Sequence, residues 1–138
     1  MDRIELDKKY IFSTELEVRD YELDSEQIVN NSIYLNYMEH TRHKFCNFAG
    51  CAFIDLVKEG IIAVVRKVEI EYLSPLKSGD KFFSCLNLER KGARFIFTQD
   101  IISTDGELKA RAIITIVALE NGKLSKGDKL AARFEKFL

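Results

Sequence analysis

From Phe12 to Arg19 apolar and polar side chains alternate, with Phe12, Thr14, Leu16 and Val18 on one face and Ser13, Glu15, Glu17 and Arg19 on the other. A period of two predicts a half-buried strand. A polar stretch around Asp24 follows, and from about Ser32 the period lengthens. Ile33, Tyr37, Thr41 and Phe45 recur at i+4 with Tyr34 and Met38 beside them. That wide apolar face predicts a largely buried helix. Gly50 breaks it, and a short helix over Ala52 to Lys58 stops at Gly60.

The remainder reads as strands. In Ile61 to Tyr72, Val68, Ile70 and Tyr72 face one way and Lys67, Glu69 and Glu71 the other. The turn-rich SPLKSGD leads to Lys81–Arg90, and the tight KGA joins that strand to Arg94–Ser103 as a hairpin. After STDGE, Leu108 to Leu119 is apolar on both faces, which predicts a strand covered on both sides or lying at an oligomer contact. Leu130, Phe134 and Phe137 mark a short terminal amphipathic helix. Four consecutive strands on short turns must be mostly antiparallel. A helix of about 16 residues, about 24 Å long, suffices for such a sheet to curve around it. The expected class is α+β.

Composition narrows the function classes. A chain of 138 residues suits one domain with one core, expected to span residues 1–138. A net charge of -1 gives no basic field for nucleic acid. No apolar run is long enough to span a membrane, and MDRIELDKKY lacks the apolar segment of a signal peptide. A cytoplasmic location is the expectation. Cys46, Cys51 and Cys85 are odd in number and unpaired in spacing, which predicts reduced thiols. His40 and His43 have no cysteine cluster nearby, so no metal site is expected.

The order of elements resembles the hot-dog fold. The segment YELDSEQIVNNSIYLNYMEHTR, Tyr21 to Arg42, resembles the approach to the central helix in acyl-CoA thioesterases related to 4-hydroxybenzoyl-CoA thioesterase. That family's pattern, Asp-x-x-Gly-x-Val-x-x-x-x-Tyr-Leu, is matched by Asp24, Val29, Tyr34 and Leu35. Asn30, Asn31, Tyr37, Glu39 and Arg42 extend the likeness, and EYLSPLKSGDKF resembles the family's later strand connection. The likeness covers nearly the whole chain. Two positions depart from it: Gln27 stands where the family has glycine, and Ile28 where histidine or a small apolar residue is common. Losing the glycine removes easy access to positive φ, so a different loop path is expected.

The resemblance implies a hydrolase of acyl-CoA thioesters. Asp24 would be general base or nucleophile, and the main-chain N–H of Asn31, at the start of the central helix, would serve the oxyanion. On the residues alone, Asp24 also reads as a turn acid, and Asn30 and Asn31 as caps. Glu39 is an alternative base, although pairing with Arg42 or His43 is the plainer reading. The two histidines are expected at the surface or an interface. Tyr34, Tyr37 and Phe45 read as core or acyl-pocket residues. Arg66, Lys67, Arg90, Lys91 and Arg94 are basic positions on strands and turn. Of these, Arg90, Lys91 and Arg94, around Gly92, form a candidate site for the phosphates of coenzyme A. The coenzyme enters as part of the substrate, and no separate cofactor is expected. The resemblance further implies a homodimer or homotetramer with sites at the interface. The alternatives are an acyl-carrier-protein thioesterase and a non-catalytic acyl-CoA-binding protein.

Overall fold

The computed structural model describes residues 2–138. It opens with an element that the alternation did not predict, helix α1 (Arg3–Lys9). Asp2 caps it, accepting from the Glu5 N–H, while the Glu5 side chain reaches back to the Asp2 N–H. This reciprocal pair starts the helix even though Leu6 is its one buried residue. Strand β1 (Phe12–Glu17) and a 3₁₀ turn (Asp20–Glu22) precede the long helix α2 (Asn31–Phe48) and the short α3 (Phe53–Lys58). Then come β2 (Ile61–Tyr72), β3 (Lys81–Lys91), β4 (Arg94–Ser103), β5 (Leu108–Glu120), the two-residue β6 (Lys123–Leu124) and α4 (Asp128–Arg133).

The sheet order is β1-β3-β4-β5-β2, antiparallel throughout, with β6 folded back on β5. Its inner face carries Phe82, Leu86, Phe97, Ile101, Ala112 and Ile114, all buried. Small alanines on β5 leave room for α2, which places Tyr34, Tyr37, Met38 and Phe45 against the sheet. Each such burial contributes roughly 1.5–3 kcal/mol. Polar groups on this face are satisfied. Thr41 donates to the Tyr37 carbonyl and shares a 2.6 Å hydrogen bond with Ser84, and Arg42 turns inward to the Gln99 amide oxygen at 2.8 Å. One end of the core is closed by Phe134, stacked on Phe45, with Phe137 edge-on to the same ring. A long helix wrapped by a curved antiparallel sheet is the hot-dog fold.

Two expectations change. Ser13, assigned to the exposed face of β1, is buried because α1 lies over it and the Arg3 guanidinium donates to its hydroxyl. On the same outer face the carboxylate of Asp100 accepts from Tyr10 at 2.5 Å and from Arg111 at 2.7 and 2.8 Å, locking α1 to the sheet. The second concerns β5, expected to be covered on both sides or to lie at an oligomer contact. Its outer face is only partly covered: Thr115 and Val117 are buried, whereas Ile113 is 40% exposed.

Candidate active site

The loop before α2 is organised by a buried acid. Glu22 accepts from the Arg19 N–H and the Tyr37 hydroxyl, both at 2.7 Å, and its own carbonyl accepts from the Asn30 N–H at 3.0 Å. Leu23 pairs with Val29. Between them the Asp24 N–H donates to the Ile28 carbonyl and the Gln27 N–H to the Asp24 carbonyl, making a tight turn. Gln27 has φ 65°. Gln27 thus takes the left-handed conformation that a glycine would reach without strain.

The turn holds Asp24 half-buried. One carboxylate oxygen, Oδ1, accepts from the Glu26 N–H at 2.8 Å. Among the described residues Oδ2 accepts nothing. Asn30 caps α2, its Oδ1 taking the Ser32 N–H at 3.0 Å and the Ser32 hydroxyl at 2.9 Å. The next N–H, that of Asn31, finds no acceptor among the described residues. It sits at the positive end of an 18-residue helix. Both residues line a cavity of about 310 Å³. Ile28, Val29 and Tyr34 form part of the wall, and the chain from Tyr72 to Pro75 forms the rest. Tyr34 is buried, its hydroxyl accepting from the Leu76 N–H at 3.2 Å. Burial pushes that phenol's pKa upward, so it stays neutral. Tyr72 donates to the Asn31 carbonyl at 2.9 Å, fixing the helix start from the strand side.

Asp24, Asn31 and Tyr34 therefore meet at one cavity, whereas Arg90, Lys91 and Arg94 do not join them within one chain. Arg94 stands opposite Val117, which stands opposite Val64, while the cavity lies beyond Tyr72. Eight residues of strand separate those levels, roughly 26 Å. Arg90 is also committed elsewhere, to the Gly92 and Lys126 carbonyls and to Asp128, over the ring of Phe95. Glu39 is exposed and pairs with His43 at 3.6 Å, as the i+4 spacing predicted, while Arg42 does not pair with it. Glu39 borders a different hollow, of about 320 Å³, between α2, α3 and β2. His40 and His43 are exposed. Sequence reasoning missed Glu22 and Tyr72. The signals were an acid two residues before Asp24 and a tyrosine closing the apolar face of β2. Among the described residues no group of three or more His, Cys, Asp or Glu could hold a metal, and no helix is long and apolar enough to cross a membrane.

A family model described as the thioesterase-like superfamily matches residues 18–136. The chain belongs to the thioesterase-like superfamily. Within this superfamily it is similar to the long-chain acyl-CoA thioesterase FadM of Escherichia coli, with 30% identity over 109 residues, 78% of this chain and 82% of that one. It is also 44% identical over 68 residues, 49% of its length, to a chloroplastic acyl-acyl carrier protein thioesterase of Arabidopsis thaliana. The chain spans about a third of that relative's length, 36%. Among solved structures, a hypothetical protein from Aquifex aeolicus superposes with a TM-score of 0.84 at 28% identity, over 92% of this chain and 99% of that one.

Proposed function

We propose that this superfamily member hydrolyses acyl-CoA thioesters to a free acid and coenzyme A. One observation carries the reading: a carboxylate with an uncommitted oxygen and a helix-terminal N–H with no acceptor open into the same cavity. The carboxylate of Asp24 takes a proton from water as the water attacks the thioester carbonyl. Alternatively it attacks the carbonyl itself, giving an anhydride that water then cleaves. Either way the carbonyl oxygen gains negative charge, which the Asn31 N–H and the α2 dipole stabilise. One such donor supplies about 3 kcal/mol. The C–S bond then breaks and the thiolate leaves. Tyr34 and Ile28 form apolar wall for the acyl group.

A second copy completes the site in this reading. Strand β2 is an edge of 12 residues, and Val65, Val68 and Tyr72 on it are exposed. Antiparallel pairing of two such edges covers them. It also brings the Ile61 end of one β2, with its basic hairpin, beside the Tyr72 end of the other. Lys91 and Arg94 are then placed to meet the phosphates of coenzyme A, with Arg90 bracing the hairpin.

The likeness to the plant enzyme favours a second reading, hydrolysis of acyl groups carried on acyl carrier protein. The deciding experiment is thiol release from a panel of acyl-CoAs by wild type, Asp24→Asn and Asp24→Ala. Asparagine preserves the turn because its amide oxygen can still accept the Glu26 N–H. The expected outcome is turnover by wild type and loss of about 100-fold or more in both variants. Full activity in either variant removes Asp24 from the chemistry, and binding without turnover by wild type points to an acyl-CoA-binding protein.

A further inference from the structure

The corner opposite the Asp24 cavity holds, beside the hairpin that the acyl-CoA reading uses, a segment that it does not use. The segment after β6 is tied to β5 and closed on itself: the Ser125 N–H donates to the Ala118 carbonyl of β5 at 3.0 Å, and the Gly127 N–H to the Ser125 hydroxyl at 2.9 Å. Gly127 takes φ 83° and lies so close to Phe95 that a Cβ there would stand 2.8 Å from the ring. Arg90 holds the segment from the other side through the Lys126 carbonyl and Asp128. Its four contacts make Arg90 a brace.

The cations on this rigid platform are uncommitted. Lys123, Lys126 and Lys129 are all exposed, and among the described residues none forms an ion pair. Of the nearby acids, Asp128 is spent on Arg90 and Glu89 on Lys91, which leaves Glu120 at the rim against the three lysines. The surface between them is shallow, with open hollows of about 390 and 480 Å³. A fixed, shallow, basic surface suits a protein partner of opposite charge better than an enclosed small molecule.

We infer that this corner is the docking surface for an acidic acyl carrier protein, which presents its thioester on a long phosphopantetheine arm. The inference rests on the hydrolase reading and on the edge-paired dimer, in which the corner of one copy shares a rim with the Asp24 cavity of the other. Electrostatic docking would then raise encounter rates for the carrier-linked substrate.

The test uses Lys123→Glu/Lys126→Glu/Lys129→Glu and the milder triple glutamine variant, none of which touches the cavity. Binding of an acyl carrier protein lacking its arm is measured by titration calorimetry at low and high salt. The kcat/KM is measured on acyl-carrier, acyl-CoA and acyl-pantetheine substrates. The expected result is wild-type binding that weakens with salt and is reduced at least about tenfold by charge reversal, with the glutamine variant between. The kcat/KM on the carrier substrate should fall in parallel, while acyl-pantetheine and acyl-CoA are unchanged. No carrier binding by wild type overturns the docking surface even if acyl-CoA is hydrolysed. Equal losses on carrier and CoA substrates, with acyl-pantetheine spared, also overturn it, because the corner would then read nucleotide phosphates. Charge-dependent binding without hydrolysis of any thioester keeps the surface and removes the hydrolase reading instead.

Discussion

The phenol of Tyr37 donates a 2.7 Å hydrogen bond to the buried carboxylate of Glu22, tying the second turn of α2 to the loop that carries Asp24. The same oxygen accepts the Arg19 N–H. Tyr37→Phe removes one of these two donors and leaves a buried carboxylate under-satisfied. The expected cost is about 1–3 kcal/mol in urea denaturation. Because the loop loosens, kcat should drop more than KM rises. An unchanged denaturation midpoint would show that the contact does not hold the loop.

Gln27 supports the same turn at φ 65°. A non-glycine residue there is strained by roughly 1–2 kcal/mol, and a glycine relieves strain but frees the unfolded chain. Gln27→Gly should therefore stay within about 1 kcal/mol of wild type in stability and keep its activity. Gln27→Val, whose branched side chain tolerates this conformation worst, should lose more than about 1 kcal/mol. Thermal melts of the three proteins rank them.

Three buried phenols set an alkaline limit. Burial, aided by the Asp100 carboxylate, pushes the Tyr10 pKa upward; burial and the Glu22 carboxylate do so for Tyr37, and burial for Tyr34. Each folded value lies above the unfolded one, so the fold favours the protonated phenol. That stability is complete below about pH 10 and is lost as pH rises beyond it. Unfolding free energy should fall above about pH 10, with a shallower fall in Tyr37→Phe. Phenolate absorbance from these residues should appear with unfolding. Smooth titration of all five tyrosines in the folded protein would contradict this.

What the sequence made legible follows from where periodicity survives. The alternation of β2 and the i+4 ladder of α2 each report one buried face, and both elements formed within a residue or two of their expected bounds. Helix α1 was invisible because Leu6 is its only buried residue. Its hold on the sheet comes instead from Tyr10, Asp100 and Arg111, which lie far apart in the chain. Asp24, Asn31 and Tyr34 were readable because they share one short segment. Tyr72 reaches that site only through the fold, 41 residues after Asn31. The basic hairpin could not be placed from the sequence, which says nothing of which end of the sheet a turn occupies; within one chain it lies away from the cavity.

The proposed edge-paired dimer makes a separate claim on β2. Val68 is 38% exposed in the single chain, so Val68→Asp should cost the protomer only about 0.5 kcal/mol. Placed against a second edge, the same change buries a charge. Sedimentation should show a dimer or tetramer for wild type and a monomer for the variant, with activity lost alongside. A monomeric wild type with full turnover would rule out a shared site.

The three thiols, all buried, divide the molecule into two regions. Cys85 lies in the cluster beneath α1, with Leu6 and Tyr10, while Cys46 and Cys51 sit where α2 gives way to α3. A thiol-modifying reagent reaches neither region without local opening. The chain thus carries two native clocks, one timing the release of α1 from the back of the sheet, the other timing the breathing of the helix end.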